Sequence, residues 1–246
     1  MEWLWVLFGV VIFLSFTIEA VTGFGSLVIS LAIGVLFLPL EQIMPISAAL
    51  NICMTSVIAF KNRQSLDNKL LLNVILPGML LGTIVGFISK DGIDDALLKQ
   101  LFGVLIIWFS TRELWRMTHQ HQDKPRPIWL TRLLTVCAGI THGLFASGGP
   151  LLVYAVAGTN IDKARFRATM AFVWFSLNGF LTVVFFIEGQ LQPLLIQVLW
   201  YLPLVVMAIY FGNLLHNKVN ENTFRKTVYS LLFITGFILL ISRYLS

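Results

Sequence analysis

Glu19-Ala20-Val21-Thr22-Gly23-Phe24-Gly25-Ser26 is the stretch on which the fold turns. Two glycines this close interrupt a helix, because glycine gains chain freedom by leaving one. The flanks are apolar: residues 3–18 and 20–40 carry no charge, with Glu19 alone between them. A second interruption, Thr141-His142-Gly143-Leu144-Phe145-Ala146-Ser147-Gly148-Gly149-Pro150, lies inside the charge-free run 133–161. Proline lacks the N–H that a helix interior needs, so Pro150 suits the first turn of a restarting helix. Each break predicts two short helical segments meeting as a hairpin or re-entrant element.

Outward from the breaks, the chain holds 17 Lys and Arg and 12 Asp and Glu in 246 residues, against 57% apolar residues. A soluble domain is about a quarter charged. Mean hydropathy is +0.84. A soluble enzyme, a disordered chain and a nucleic-acid binder are excluded, and the net charge of +5 does not point to a nucleic acid. The charges cluster, leaving further uncharged runs at 42–60, 70–89, 168–187, 189–217 and 227–242. Crossing the bilayer takes about 20 residues in a helix. Residues 100–111 reach that length if Lys99 and Arg112 snorkel from the ends. The chain is expected to be an all-α polytopic membrane protein of about eight or more segments.

Cytoplasmic loops collect Lys and Arg. Placing loops 61–69, 112–132, 158–167 and 216–226 inside puts fourteen of the seventeen bases in the cytoplasm. Both termini then lie outside, as do the acidic loop 90–99 and the base-free loop 188–193. Under this orientation each glycine break leaves and re-enters one side. The start Met1-Glu2 lacks the basic region of a secretory signal, so the first segment is expected to stay.

The two halves match. Pro77 and Gly86 recur as Pro203 and Gly212 at an offset of 126, and Lys99 falls on Arg225. Residues 1–117 and 129–246 read as repeats, joined by a cytoplasmic linker at 118–128. Each is a broken or re-entrant hairpin followed by three transmembrane helices. An odd number of crossings inverts the second copy, a layout characteristic of secondary transporters with substrate bound at the breaks.

Glu19-x3-Gly23-Phe24-Gly25-Ser26, Gly143-Leu144-Phe145-x-x-Gly148-Gly149-Pro150 and Arg167-Ala168-Thr169, with the repeat, resemble the sulfite exporter TauE/SafE family. The resemblance covers nearly the whole chain. It implies a permease of the bacterial or archaeal inner membrane for sulfite, organosulfonates or related small anions. Ala146 stands where the family usually has glycine, and His142 where a small residue is commoner.

An ionisable group within an apolar stretch is functional by default. Glu19 is therefore a candidate for proton coupling, as is His142, since an unperturbed imidazole titrates near neutrality. Restarting helices expose N–H groups that bind small oxyanions. The candidate substrate residues are Thr22, Gly23, Gly25, Ser26, Asn51, Thr141, His142, Ser147, Gly148, Gly149, Arg167 and Asn178. Close helix packing through small residues is the competing reading of the glycines. Trp174 and the phenylalanines read as packing or lipid-facing residues. An intramembrane serine enzyme at Ser147 lacks a well-placed histidine, and a thiol carrier using Cys53 and Cys137 lacks paired spacing. No cofactor, metal or nucleic acid is expected. The expected partners are a small anion and the lipid bilayer, with a homodimer compatible.

Overall fold

The computed structural model describes residues 2–90, 92–119, 127–157, 159, 161, 163–215 and 221–245. Most of the expected linker, with His121, Lys124, Pro125 and Arg126, lies outside the described residues. The elements are α1 (Glu2–Thr22), α2 (Ser26–Gly34), α3 (Leu40–Lys61), a 3-10 turn (Arg63–Ser65), α4 (Asn68–Leu70), a π-helical turn (Leu71–Ile75), α5 (Leu76–Lys90) and α6 (Asp95–Thr118). Then come α7 (Ile128–Phe145), α8 (Gly149–Ala157), α9 (Lys163–Ile187), a 3-10 turn (Gln192–Leu194), α10 (Leu195–Leu215) and α11 (Glu221–Leu245). No strand occurs among the described residues. The π turn has a local cause: Pro77 has no N–H to offer the carbonyl of Asn73, so the turn before it widens.

Among the described residues, six stretches are long and apolar enough to cross a membrane: Glu2–Thr22, Leu40–Lys61, Asn68–Lys90, Ile128–Phe145, Arg165–Ile187 and Gln192–Gly212. The chain is a polytopic helical membrane protein. The arms of each break are unequal, which differs from the expectation of two short segments. α1 has 21 residues and α7 has 18, about 27–31 Å at ~1.5 Å per residue. α2 and α8 have nine each, about 13 Å, which is less than half the hydrocarbon thickness. α1 extends because Glu19, Ala20 and Val21 continue the helix up to Gly23, whereas α7 runs through Gly143 and ends only at the left-handed Ala146.

α1 packs on α10, α5 on α7, α3 on α9 and α6 on α11, while α2 and α8 lie against α1 and α7 respectively. The α5–α7 contact is glycine-lined. A Cβ on Gly82 would fall 2.1 Å from the Val136 carbonyl oxygen, and one on Gly143 2.2 Å from that of Thr83. Such approach lets backbones meet where lipid offers no hydrophobic drive for association. For Gly143, packing is the reading that the geometry favours.

Arg112 does not snorkel. It pairs with Glu113, stacks 4.3 Å from the centre of the Tyr154 ring, and is mostly buried. Glu113 is fully buried and also accepts from Arg116 at 2.6 Å. Arg112, Glu113 and Arg116 thus form an ion cluster near the C-terminal end of α6, with the Glu113 carboxylate inside the protein.

Candidate functional site

Glu19 sits in the last turn of α1, and the chain leaves that helix through Gly23 (φ 88°) and Gly25 (φ 110°). These left-handed conformations are open to glycine at no steric cost. They fold the start of α2 back beneath the Glu19 side chain. Gly25 offers no side-chain cap. Instead the Ser26 N–H donates to Glu19 Oε2 at 2.8 Å. The partial positive charge of α2's first turn is thus met by a buried carboxylate of the same chain. On the other side of the break, Arg167 Nη2 donates to the Ala20 carbonyl at 2.9 Å, and its aliphatic stem covers Gly23. A cation there complements the C-terminal end of α1.

Asn51 lies near the middle of α3 and Asn178 near the middle of α9. Asn51 Nδ2 donates to Glu19 Oε1 at 3.2 Å and to Ser26 Oγ at 3.0 Å. Asn178 Nδ2 donates to Asn51 Oδ1 at 2.7 Å. All four residues are almost wholly buried. Asn51 turns its NH₂ to Glu19 and its oxygen to Asn178, the orientation that an ionised carboxylate, an acceptor only, requires.

The second break closes differently. Ala146 takes the left-handed turn (φ 48°) that ends α7, and the Gly148 N–H donates to His142 Nδ1 at 3.4 Å. A Cβ on Gly148 would meet the Ala138 carbonyl oxygen at 2.4 Å, whereas Gly149 is open toward Trp174. Among the described residues, no carboxylate caps α8. A small cavity of about 20 Å³ lies between the two breaks, lined by Glu19, Gly25, Asn51, Ser147, Gly149, Trp174 and Asn178 among others. Around it Ser147 Oγ, Trp174 Nε1 and Asn178 Oδ1 are buried with no hydrogen-bond partner. Buried polar atoms are nearly always paired, so three orphans on one cavity leave its wall with unmet hydrogen-bonding capacity.

Of the residues expected at a site, Glu19, Gly25, Asn51, Ser147, Gly148, Gly149 and Asn178 line this cavity, and Ser26 is bonded to two of them. The others stand back. Thr22 Oγ1 donates to the Ile18 and Phe24 carbonyls, and Thr141 Oγ1 to that of Ala138. Gly23 and Arg167 pack on each other outside the cavity. His142 holds the second break through Gly148, and its ring lies tilted against Trp174 with centres 5.9 Å apart. It makes no bond to the Ser147 hydroxyl, so the pairing a serine nucleophile needs is not formed. Trp174 is the residue that sequence reading missed, having been assigned to packing. The signal was its spacing: Trp174 and Asn178 are four apart on α9 and share a face.

The family description "Sulfite exporter TauE/SafE" matches residues 7–239. The chain is also similar to a Comamonas testosteroni protein described as "Probable inner membrane transporter protein TsaS". The two are 26% identical over 169 residues, covering 67% of this chain and 69% of that one. No solved structure matches it. A match of this extent, over a fold of broken hairpins and apolar spans, places the chain in the sulfite exporter TauE/SafE family of membrane transport proteins.

Proposed function

We propose that this protein is a secondary transporter of small sulfur-containing oxyanions such as sulfite or an organosulfonate. The anion binds in the cavity between the breaks, and its passage is coupled to a proton on Glu19. The observation that carries this reading is the unequal capping of the two short helices. The first turn of α2 already holds the Glu19 carboxylate. The first turn of α8 has none, and faces the unpartnered Ser147 hydroxyl and Trp174 indole N–H. An oxyanion at α8 would do for that helix what Glu19 does for α2.

Two inverted repeats supply the alternating-access frame. Reciprocal packing supports this: α1 lies on α10 as α7 lies on α5, while α3 and α6 each pair with their own counterparts, α9 and α11. The related Gly86 and Gly212 both sit in the reciprocal contacts, against Ile140 and Ala20. Asn51 and Asn178 then meet on the pseudo-two-fold axis at mid-membrane. The proposed sidedness has the same kind of support. Glu41 at the start of α3, which follows a hairpin assigned to begin and end outside, rims one bowl with Lys90 and Gln190 of the two outside loops. The Asp67 N–H of an inside loop donates to Thr169 Oγ1 near the inside end of α9.

The test is a thermal-shift panel on purified protein with sulfite, sulfate, thiosulfate, sulfoacetate, taurine and simple carboxylates, followed by proteoliposome uptake of whichever anions stabilise it. Saturable uptake of a sulfur oxyanion is the expected result. Indifference to the whole panel would contradict the reading.

A further inference from the structure

Asn178 presents the wrong atom to an anion. Its orphaned oxygen faces the cavity, while its NH₂ is spent on Asn51. The cause lies two residues away in the network. Both N–H bonds of Asn51 are committed, one to Glu19 Oε1 and one to Ser26 Oγ. Only the Asn51 oxygen is left for Asn178. A carboxylate at Glu19 therefore dictates an acceptor at the cavity wall.

We propose that Glu19, Asn51 and Asn178 form a relay that converts protonation of Glu19 into a change of the Asn178 face from acceptor to donor. A proton and an oxyanion thereby bind together. With a proton on Oε1, the carboxyl donates. Asn51 turns its amide so that Oδ1 accepts from Glu19, and the Ser26 hydroxyl can donate to the same oxygen. Asn51 Nδ2 then donates to Asn178 Oδ1, and Asn178 Nδ2 faces the cavity beside Trp174 Nε1 and Ser147 Oγ. Each amide turns about a single bond and exchanges oxygen for NH₂ at nearly equal size, so packing is preserved. Ser26 N–H keeps its bond to Oε2 throughout. Asn51 is a positioning residue in this scheme: it touches Glu19 and Asn178 and acts on the anion through the latter.

The other charged or titratable groups near Glu19 do not join the relay. Arg167, from α9, is bonded to the Ala20 carbonyl. His142, from α7, lies behind Trp174 and is bonded to Gly148. Tyr201, from α10, donates to the Trp5 carbonyl at 2.7 Å, several turns along α1. The cavity-facing parts of α2 and α3 bring no further charge, so among the described residues Glu19 is the one titratable group in the cavity lining.

The inference rests on the anion reading above, and its test separates the two. Binding of thiosulfate and sulfoacetate, whose charge is constant across neutral pH, is measured by calorimetry on full-length protein as pH is varied. Wild-type affinity is expected to rise as pH falls, by at most about tenfold per pH unit for one linked proton. Glu19→Gln, a neutral side chain with one donor and one acceptor end, should bind at high pH as tightly as wild type does at low pH. Asn51→Leu cuts the relay but leaves Glu19 in place, and Asn178→Leu removes the reporter but leaves Asn51 bonded to Glu19. Both should bind with a flattened pH profile, whereas a merely structural role would weaken binding in parallel at every pH. A wild-type slope retained in the Asn51 and Asn178 variants would overturn the relay in favour of direct charge repulsion. A requirement for sodium at fixed pH would overturn it in favour of a cation at the Asn178 oxygen. Failure of wild type to bind either anion would instead overturn the anion reading itself.

Discussion

Asn178 donates to Asn51 at 2.7 Å, joining the midpoints of two helices that are 127 residues apart in sequence. Through Asn51 this contact reaches the Glu19 carboxylate at the first break, while Asn178 and Trp174 face the start of α8 at the second. Neither break reaches across the cavity by itself. The amide pair is the link between them, which is why the site is described better as one four-residue network than as two glycine loops.

Trp174 contributes an indole N–H to the cavity that no protein group satisfies. Trp174→Phe keeps most of the ring that packs on Gly149 and His142 while deleting the donor. A hydrogen bond to a charged group is worth about 1.5–3 kcal/mol. Anion KM in proteoliposomes is therefore expected to rise about tenfold or more, with the protein still monodisperse in detergent. An unchanged KM would return Trp174 to a packing role.

The glycines of α5 and α7 predict a sharp contrast with a glycine elsewhere. A Cβ at Gly82 would collide with the Val136 and Ile140 backbones, at 2.1 and 2.7 Å, while one at Gly179 meets nothing within 4 Å. Gly82→Ala should lower stability by about 3 kcal/mol or prevent folding, since backbone cannot rearrange cheaply. Gly179→Ala, in a helix interior, should hold or gain up to about 1 kcal/mol. Thermal unfolding of the two variants side by side checks this.

Ala146 holds a left-handed turn at φ 48°, which costs a side-chain-bearing residue about 1–2 kcal/mol. Ala146→Gly relieves that strain but gives up one buried methyl, worth about 0.8 kcal/mol. The thermal midpoint is expected to stay near wild type. Ala146→Val, β-branched and strained in the same turn, should fall well below it.

Much of this was legible in the residues. The charge-free runs marked the spans, the dense glycines marked both breaks, and Glu19 stood out as a lone acid in an apolar stretch. Asn51 and Asn178 were visible as polar residues at related depths. What the residues did not reveal was how donors and acceptors would be paired. Thr22 and Thr141 looked like anion ligands, yet each is consumed by a carbonyl within its own local segment, the habit of hydroxyls in apolar helices. Arg167 and His142 lie beside the breaks in sequence, but Arg167 caps the end of α1 and His142 braces the second turn. Trp174 was hidden because an indole in an apolar helix looks like packing until its N–H is found unpaired. Glu113 was hidden because its arginines made α6 look like a solvated helix end rather than an internal ion cluster.

Cys53 is exposed on α3 and Cys137 is half-buried on α7, and both are free thiols. Replacing both with Ala should leave transport and its pH dependence unchanged. Loss of transport in the double variant, with the fold intact, would revive a thiol-based activity.

The most direct test of proton-coupled anion passage uses sealed proteoliposomes loaded with a pH-sensitive dye, to which thiosulfate or sulfoacetate is added outside. For wild type the account predicts lumenal acidification that tracks anion entry. For Glu19→Gln it predicts anion movement with no pH change. Anion entry into wild-type vesicles without any proton signal, or a proton signal that persists in Glu19→Gln, would contradict it.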